Sequence, residues 1–318
     1  MGEFELIRKL ILPLAGETRS AAVLLGPGDD CAIQRLPAGH DLVFSVDTLV
    51  EGRHFPMGYQ PRHLGWRSLA VAASDLAAMG AEPACFSLAL TLPESDQDWL
   101  GEFCQGLGEA ARAFGLSLAG GDTTRGPLTL SLQVHGTVPA GQALRRSGAG
   151  VDQLICVSGT LGEAGAALDY LDVLQPSEPV RQLLARYHRP QPRLALGQTL
   201  RPWATAAIDV SDGLLADLGH ILAASGIGAD LDASSLPVSP ALREVVGERA
   251  VALALTAGDD YELCLTMARD DWHQLPDAVR AELTVIGRTR GKTGIDLNGL
   301  PPGITLPATG YDHFGAQP

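Results

Sequence analysis

The chain is short of the residues that mark several large functional classes. Its 318 residues include five cysteines, Cys31, Cys85, Cys104, Cys156 and Cys264, an odd number with no Cys-x-x-C pair. That usage argues against a disulfide framework or a zinc site and fits a reducing compartment. Basic residues are outnumbered: 23 lysines and arginines stand against 37 aspartates and glutamates, a formal net charge of −14. A nucleic-acid binder carries the opposite sign, because phosphate contacts need lysine and arginine, so no nucleic acid is expected as a partner. The longest apolar stretches are broken by charge, as Leu69–Leu92 is by Asp75 and Glu82, so no transmembrane span and no membrane partner is expected. The opening Met-Gly-Glu-Phe-Glu-Leu is acidic early and lacks a signal-peptide pattern, and Leu6 departs from the myristoylation motif. The expected location is the cytoplasm.

Two nucleotide signatures are also missing. Gly287-Arg288-Thr289-Arg290-Gly291-Lys292-Thr293 comes near a P-loop but is one residue short, with Ile286 where the first glycine belongs; it reads as a basic turn after a strand. No protein-kinase catalytic loop or Asp-Phe-Gly is found.

What is present suits a packed globular protein: 46% hydrophobic residues and 19% charged ones, in a chain long enough for two domains. Apolar spacing predicts helices over Glu3–Leu14, His63–Met79, Trp99–Phe114 and Leu214–Ala224, with another beginning near Leu161. Strands are predicted over Asp41–Val50, Ala84–Leu92, Leu128–Val138, Gln153–Val157, Ala206–Val210, Val251–Thr256, Tyr261–Met267 and Thr284–Gly287. In the first of these Ser45 and Asp47 share one face and Val46 the other. Strands and helices mix in both halves, which predicts an α/β (α+β) protein of two domains, 1–140 and 150–318, separated by the glycine-bearing Pro139–Val151.

Aspartates gather at element ends. Asp29 and Asp30 lie in Gly26-Pro27-Gly28-Asp29-Asp30, Asp47 is near the end of the first strand, Asp122 follows Gly120-Gly121, and Asp209 and Asp212 flank Ser211. Taken singly, each reads as a turn or helix cap. Asp75 differs. Leu69–Ala73 and Ala77–Met79 on either side predict a buried helix, where an unpaired carboxylate is costly, and few basic residues lie near enough in sequence to neutralise it. A bound cation is then a reasonable partner. Carboxylates offered from different turns suit magnesium, which also keeps waters and substrate phosphates, and the lack of His/Cys clusters argues against zinc. Several Mg²⁺ ions on such a cluster would turn a surface that repels polyphosphate into a template for it. The neighbouring glycines let backbone N–H groups come close to phosphate.

Six segments, read in order, carry a family resemblance. They are Pro27-Gly28-Asp29-Asp30-Cys31-Ala32, Val46-Asp47-Thr48 through Arg53-His54-Phe55, Ser74-Asp75-Leu76-Ala77-Ala78-Met79-Gly80-Ala81, Gly120-Gly121-Asp122-Thr123-Thr124, Asp209-Val210-Ser211-Asp212-Gly213-Leu214 and Gly258-Asp259-Asp260-Tyr261-Glu262-Leu263. Together with Gly310-Tyr311-Asp312-His313-Phe314 they span the chain, which resembles the thiamine-monophosphate kinases, relatives of aminoimidazole ribonucleotide synthetase. The resemblance implies an N-terminal domain for ATP, metal and dimerisation, whose mixed sheet forms a β-barrel with that of a second copy. It also implies a C-terminal α/β domain that completes the active site.

By the same resemblance the metal ligands are Asp30, Ser45, Asp47, Asp75, Asp122, Asp209 and Asp212, with Val46 acting through its backbone. ATP contacts are Gly121, Asp122, Arg146 and Ser211, and substrate contacts are His54, Asp259 and Tyr311. The implied reaction is Mg²⁺-dependent, in-line transfer of the γ-phosphoryl group of ATP to thiamine monophosphate, with no residue acting as acid or base. Without the resemblance, Arg146 reads equally well as half of a solvated Arg145-Arg146 pair, and His54 as a packing histidine. Three positions depart from the common family pattern: Asp259 for a glutamate, Cys104 for a tyrosine near ATP, and Val46 for a threonine. The rivals are an aminoimidazole ribonucleotide synthetase-like enzyme and a non-catalytic acidic protein that binds metal or nucleotide.

Overall fold

Between His40 and Val50 the chain forms an eleven-residue strand, and around it the first half of the protein builds its sheet. The structure, a computed structural model, describes residues 5, 7–18, 20–304 and 306. Its strands here are β1 (Val23–Leu25), β2 (Ile33–Gln34), β3 (His40–Val50), β4 (Glu82–Leu92), β5 (Ser117–Arg125) and β6 (Thr129–Pro139). β1 and β2 make a separate antiparallel pair, and the other four form one sheet in the order β3-β6-β4-β5. β3–β6 and β6–β4 run antiparallel, while β4–β5 is parallel and joined through the helix Gln97–Phe114. That helix starts where Asp96 accepts from the N–H groups of Asp98 and Trp99 and stops at Gly115 in the left-handed region. Most residues of the helix Pro61–Ala78 are buried, Arg67, Ser68 and Ser74 among them, as expected for a helix sealed within a core.

The second half builds a six-stranded sheet from β7 (Leu154–Ser158), β8 (Ala204–Asp209), β9 (Gly228–Asp232), β10 (Leu263–Met267), β11 (Leu283–Arg290) and β12 (Gly294–Asn298). Its order is β12-β9-β11-β7-β10-β8, antiparallel except for β12–β9. One core cluster joins Ile155, Val157, Ile208 and Val210 to Leu214, Leu218, Ile221 and Leu222, the buried stripe of the helix Leu214–Ser225.

The chain thus folds as two compact units. The first runs to residue 143 apart from residues 77–80, which group with the second. Both are mixed α/β, and among the described residues no sheet closes on itself.

One expectation is overturned outright. Val251–Thr256 is not a strand but most of a helix, Arg249–Thr256. Its buried residues Ala250, Val251, Ala254 and Leu255 recur at helical spacing, and alanine and leucine favour the helix more strongly than one valine opposes it. The strand expected from Tyr261 begins only at Leu263, because Asp259 and Tyr261 both adopt positive φ. Of the predicted helix Glu3–Leu14, the described part is a π-helical turn at Ile7–Ile11 followed by an α-helix, Leu12–Glu17.

Candidate functional site

In the first unit the acids are carried by β3, β5, the helix Pro61–Ala78 and one turn. On β3, Ser45 stands opposite Val134 and Asp47 opposite Leu132, both fully buried residues of β6, so the two polar side chains share the core-facing side of the sheet. Ser45 Oγ donates a hydrogen bond to Asp75 Oδ2 on the helix. Asp75 is half-buried, and a hydroxyl thirty residues away in sequence is among its partners.

The Val46 side chain lies on the opposite face, across from Gln133 and 57% exposed. Gly121 on β5 pairs with Leu88, and a Cβ there would sit 2.0 Å from the Leu88 carbonyl oxygen, so only glycine allows the two strands to approach. Asp122 pairs with exposed Ala89, on the sheet face away from Asp47. Asp30 is exposed and its amide donates to Asp29 Oδ1 at 2.8 Å. His54 closes a turn in which the Val50 amide donates to its Nδ1 at 3.0 Å, leaving Nε2 to carry the proton of the neutral ring. Cys104 lies on the helix Gln97–Phe114, and burial pushes its thiol up to about 11.

In the second unit Asp209 ends β8, nearly buried and paired with Leu263. Ser211, Asp212 and Gly213 follow as a turn into the helix Leu214–Ser225. A residue that sequence reasoning missed organises this turn. Asp217 is 2% exposed, and its Oδ2 accepts from the amides of Ser211 at 2.9 Å and Asp212 at 3.0 Å. Burial pushes its carboxyl up to about 7; the Asp212 amide opposes that rise, the Asp212 charge adds to it, and the Ser211 and Gly213 amides oppose it. The available signal was an acid on the apolar stripe that holds Leu214, Leu218 and Ile221.

A second segment is tied to the first, backbone to backbone. The amides of Asp259 and Tyr261 donate to the carbonyls of Ser211 and Val210 at 2.9 and 2.8 Å, and the Val210 amide donates to Glu262 O at 2.8 Å. A Cβ on Gly258 would lie 2.3 Å from Ser211 O. The Tyr261 hydroxyl donates to Asp259 Oδ1 at 2.8 Å. The neighbouring acids point elsewhere: Asp260 is buried and its Oδ2 accepts from the Gly162 amide, while Glu262 accepts from Ser158, Arg186 and Arg193. Arg146 is exposed, and its carbonyl accepts from Ser225 Oγ at 3.4 Å. Tyr311 lies outside the described residues.

The structure therefore brings Ser45 together with Asp75 and sets Asp47 on the same face, and it joins the Asp209–Gly213 turn to Asp259. Among the described residues no three His, Cys, Asp or Glu side chains gather as a ready-made metal cage. The donors on offer are all oxygens held in ones and twos, which fits Mg²⁺ completed by waters and substrate phosphates and does not fit zinc.

Comparison with known proteins gives a consistent result. The family described as "AIR synthase related protein, N-terminal domain" matches residues 28–138. A thiamine-monophosphate kinase from Salmonella typhimurium is 45% identical over 324 aligned positions, covering 98% of this chain and 98% of that protein. The crystal structure of a thiamine-monophosphate kinase from Stenotrophomonas maltophilia superposes with a TM-score of 0.85 at 46% identity, covering 91% of this chain and 96% of that one. A second structure, AaThiL complexed with AMPPCP and TMP, gives 0.79 at 29% identity, covering 98% and 97%.

Proposed function

The chain belongs to the thiamine-monophosphate kinase family, and from that membership we infer that it carries out the family's reaction, the ATP-dependent phosphorylation of thiamine monophosphate to thiamine diphosphate with release of ADP. The observation that carries this is identity of nearly one residue in two along 98% of both chains. The phosphate oxygen of the acceptor bonds to the γ-phosphorus as the bond from that phosphorus to the leaving ADP oxygen breaks. The acceptor is already ionised at neutral pH, so no strong general base is needed, and the protein's work is positioning and charge compensation.

The residues divide by chemistry. Asp30, Ser45, Asp47, Asp75, Asp122, Asp209 and Asp212, with the Val46 carbonyl, are the oxygen donors for Mg²⁺. When bound, the ions neutralise charge on the phosphates. The Ser45–Asp75 hydrogen bond supports that reading, because it fixes the orientation of both oxygens before any ligand arrives. Gly121, Asp122, Arg146 and Ser211 hold ATP, and His54, Asp259 and Tyr311 hold thiamine monophosphate.

The active form is a homodimer in the cytoplasm. β3 is an edge strand, and its outer face bears Leu42, Phe44 and Val46, exposed by 39%, 60% and 57%. An apolar edge of this kind is covered in a soluble protein, and a second copy pairing its own sheet there would complete a barrel. No helix among the described residues is long and apolar enough to cross a membrane.

The test is incubation of the purified chain with ATP, Mg²⁺ and thiamine monophosphate. Thiamine diphosphate and ADP should form in equal amounts. Cyclisation of formylglycinamidine ribonucleotide in place of that product would move the chain to the synthetase branch, and nucleotide binding without turnover would make it a binding protein.

A further inference from the structure

Tyr261 holds a backbone conformation that a tyrosine avoids. Its φ is 50°, and that of Asp259, two residues earlier, is 69°. Bulky side chains keep left-handed geometry only where the surroundings over-determine it, and such positions cluster at binding sites. Here the surroundings are explicit. The amides of both residues are bonded to the Val210–Ser211 backbone, and the tyrosine ring is buried to 5% exposure. The double reversal sorts three consecutive acids and aromatics by direction. Asp260 turns inward to the Gly162 amide, while Asp259 stays half-buried with the Tyr261 hydroxyl at 2.8 Å from its Oδ1.

A phenylalanine would fill the same volume, so the hydroxyl adds something that packing does not require. It supplies a donor to a carboxylate, and a carboxylate held at one oxygen gives up little rotamer freedom when a ligand arrives. Away from its phosphate, thiamine monophosphate has one group with N–H donors, the exocyclic amine of its pyrimidine.

We propose that Tyr261 is a positioning residue for acceptor selection: its hydroxyl sets the Asp259 carboxylate in the orientation that receives this amine. The proposal rests on the reading of Asp259 as a substrate contact. Phosphoryl transfer takes place at the other end of the acceptor, so the contact acts on binding more than on chemistry.

The test uses the full chain as Tyr261→Phe, Asp259→Ala and the double variant, assayed with ATP, Mg²⁺ and thiamine monophosphate. Asp259→Ala should raise KM for thiamine monophosphate. Tyr261→Phe should raise it by roughly three- to tenfold, the size of one lost net hydrogen bond, with kcat changed much less. KM for ATP should stay near the wild-type value in both and serves as the control for folding. The double variant should be no worse than Asp259→Ala, because Tyr261 acts through that carboxylate. An unchanged acceptor KM in Tyr261→Phe beside a raised one in Asp259→Ala overturns the role of Tyr261 and leaves Asp259 as a contact. An unchanged KM in Asp259→Ala overturns both. Equal increases for ATP and acceptor, or additive effects in the double variant, make Tyr261 purely structural.

Discussion

Arg193 meets Glu262 through two parallel hydrogen bonds, Nε to Oε2 at 2.6 Å and Nη2 to Oε1 at 2.5 Å, and the carboxylate so held has no exposed surface. Arg186 reaches the same Oε1 at 2.6 Å and Ser158 Oγ reaches Oε2 at 2.5 Å. Glu262 leads into β10 directly after the Asp259–Tyr261 segment, so this cluster anchors one end of the proposed acceptor loop. Burial would raise its carboxyl, but the Arg193 hydrogen bond and the charges of Arg186 and Arg193 outweigh it, and Ser158 adds to them; the net shift is downward.

Removing the paired contact should therefore be costly. Arg193→Met should cost about 1.5–3 kcal/mol of unfolding free energy in urea titrations at neutral pH, because Glu262 loses its two-pronged partner while keeping Arg186 and Ser158. Arg193→Lys should recover little of it, since an ammonium cannot make the paired contact. Because the folded carboxyl lies below its ordinary 4.5, the stability it contributes is complete above that pH and lost as pH falls below it. Unfolding measured from pH 7 down to pH 3 should show that acid limb, and Glu262→Gln, already destabilised, should show a flatter one.

Asp260 works in the opposite direction. Burial holds its carboxyl well above the ordinary 3.8, against the opposing pull of the Gly162 amide. A raised acid favours folding most at low pH and costs stability as pH rises past its unfolded value. Asp260→Asn keeps an oxygen for the amide and removes that cost. It should be as stable as the parent chain or more so at pH 7, and its advantage should vanish below about pH 4.

The Ser45–Asp75 contact yields a catalytic prediction. Asp75→Asn should fold normally by circular dichroism and lose about a hundredfold or more in kcat, the scale of one missing electrostatic contact. Ser45→Ala should lose less, since it removes one donor and leaves the carboxylate. Near-normal turnover of Asp75→Asn at low Mg²⁺ would reduce the aspartate to a helix residue with a hydroxyl partner.

The outer face of β3 bears on the oligomeric state. Phe44→Glu puts charge where a second copy is proposed to pair, and light scattering at micromolar concentration should move from dimer mass towards monomer mass. A parent chain that is already monomeric at that concentration would remove the dimer from the proposal.

Long elements with a steady period were legible in the sequence. The strand Asp41–Val50 and the helices His63–Met79, Trp99–Phe114 and Leu214–Ala224 each match an observed element to within two residues at either end. Val251–Thr256 failed because a short run of five aliphatic residues closed by a threonine fits a buried strand and a helix face equally well. β9 and β12, five residues each and polar at alternate positions, carried too little signal to stand out. At the site, single residues could be named by resemblance, but their partners could not. Ser45 and Asp75 are thirty residues apart, and Arg186 and Arg193 stand 76 and 69 residues before the Glu262 that folding buries between them. Asp217 escaped notice for a related reason, since an acid in a helix's first turn is commonplace until the turn before it is seen to fold back over it.

That fold-back has a consequence for how a nucleotide can approach. Many phosphate sites are hollows of unoccupied amides at the start of a helix, able to grip an anion with no help. In the turn before Leu214 the Ser211 and Asp212 amides already donate to the protein's own carboxylate, and the side chains the turn adds are a hydroxyl and a second acid. To a bare polyphosphate this corner is a fence rather than a cradle. ATP stripped of its cation should find nothing here to rest on, so chelating the metal should abolish nucleotide binding itself and not merely its turnover.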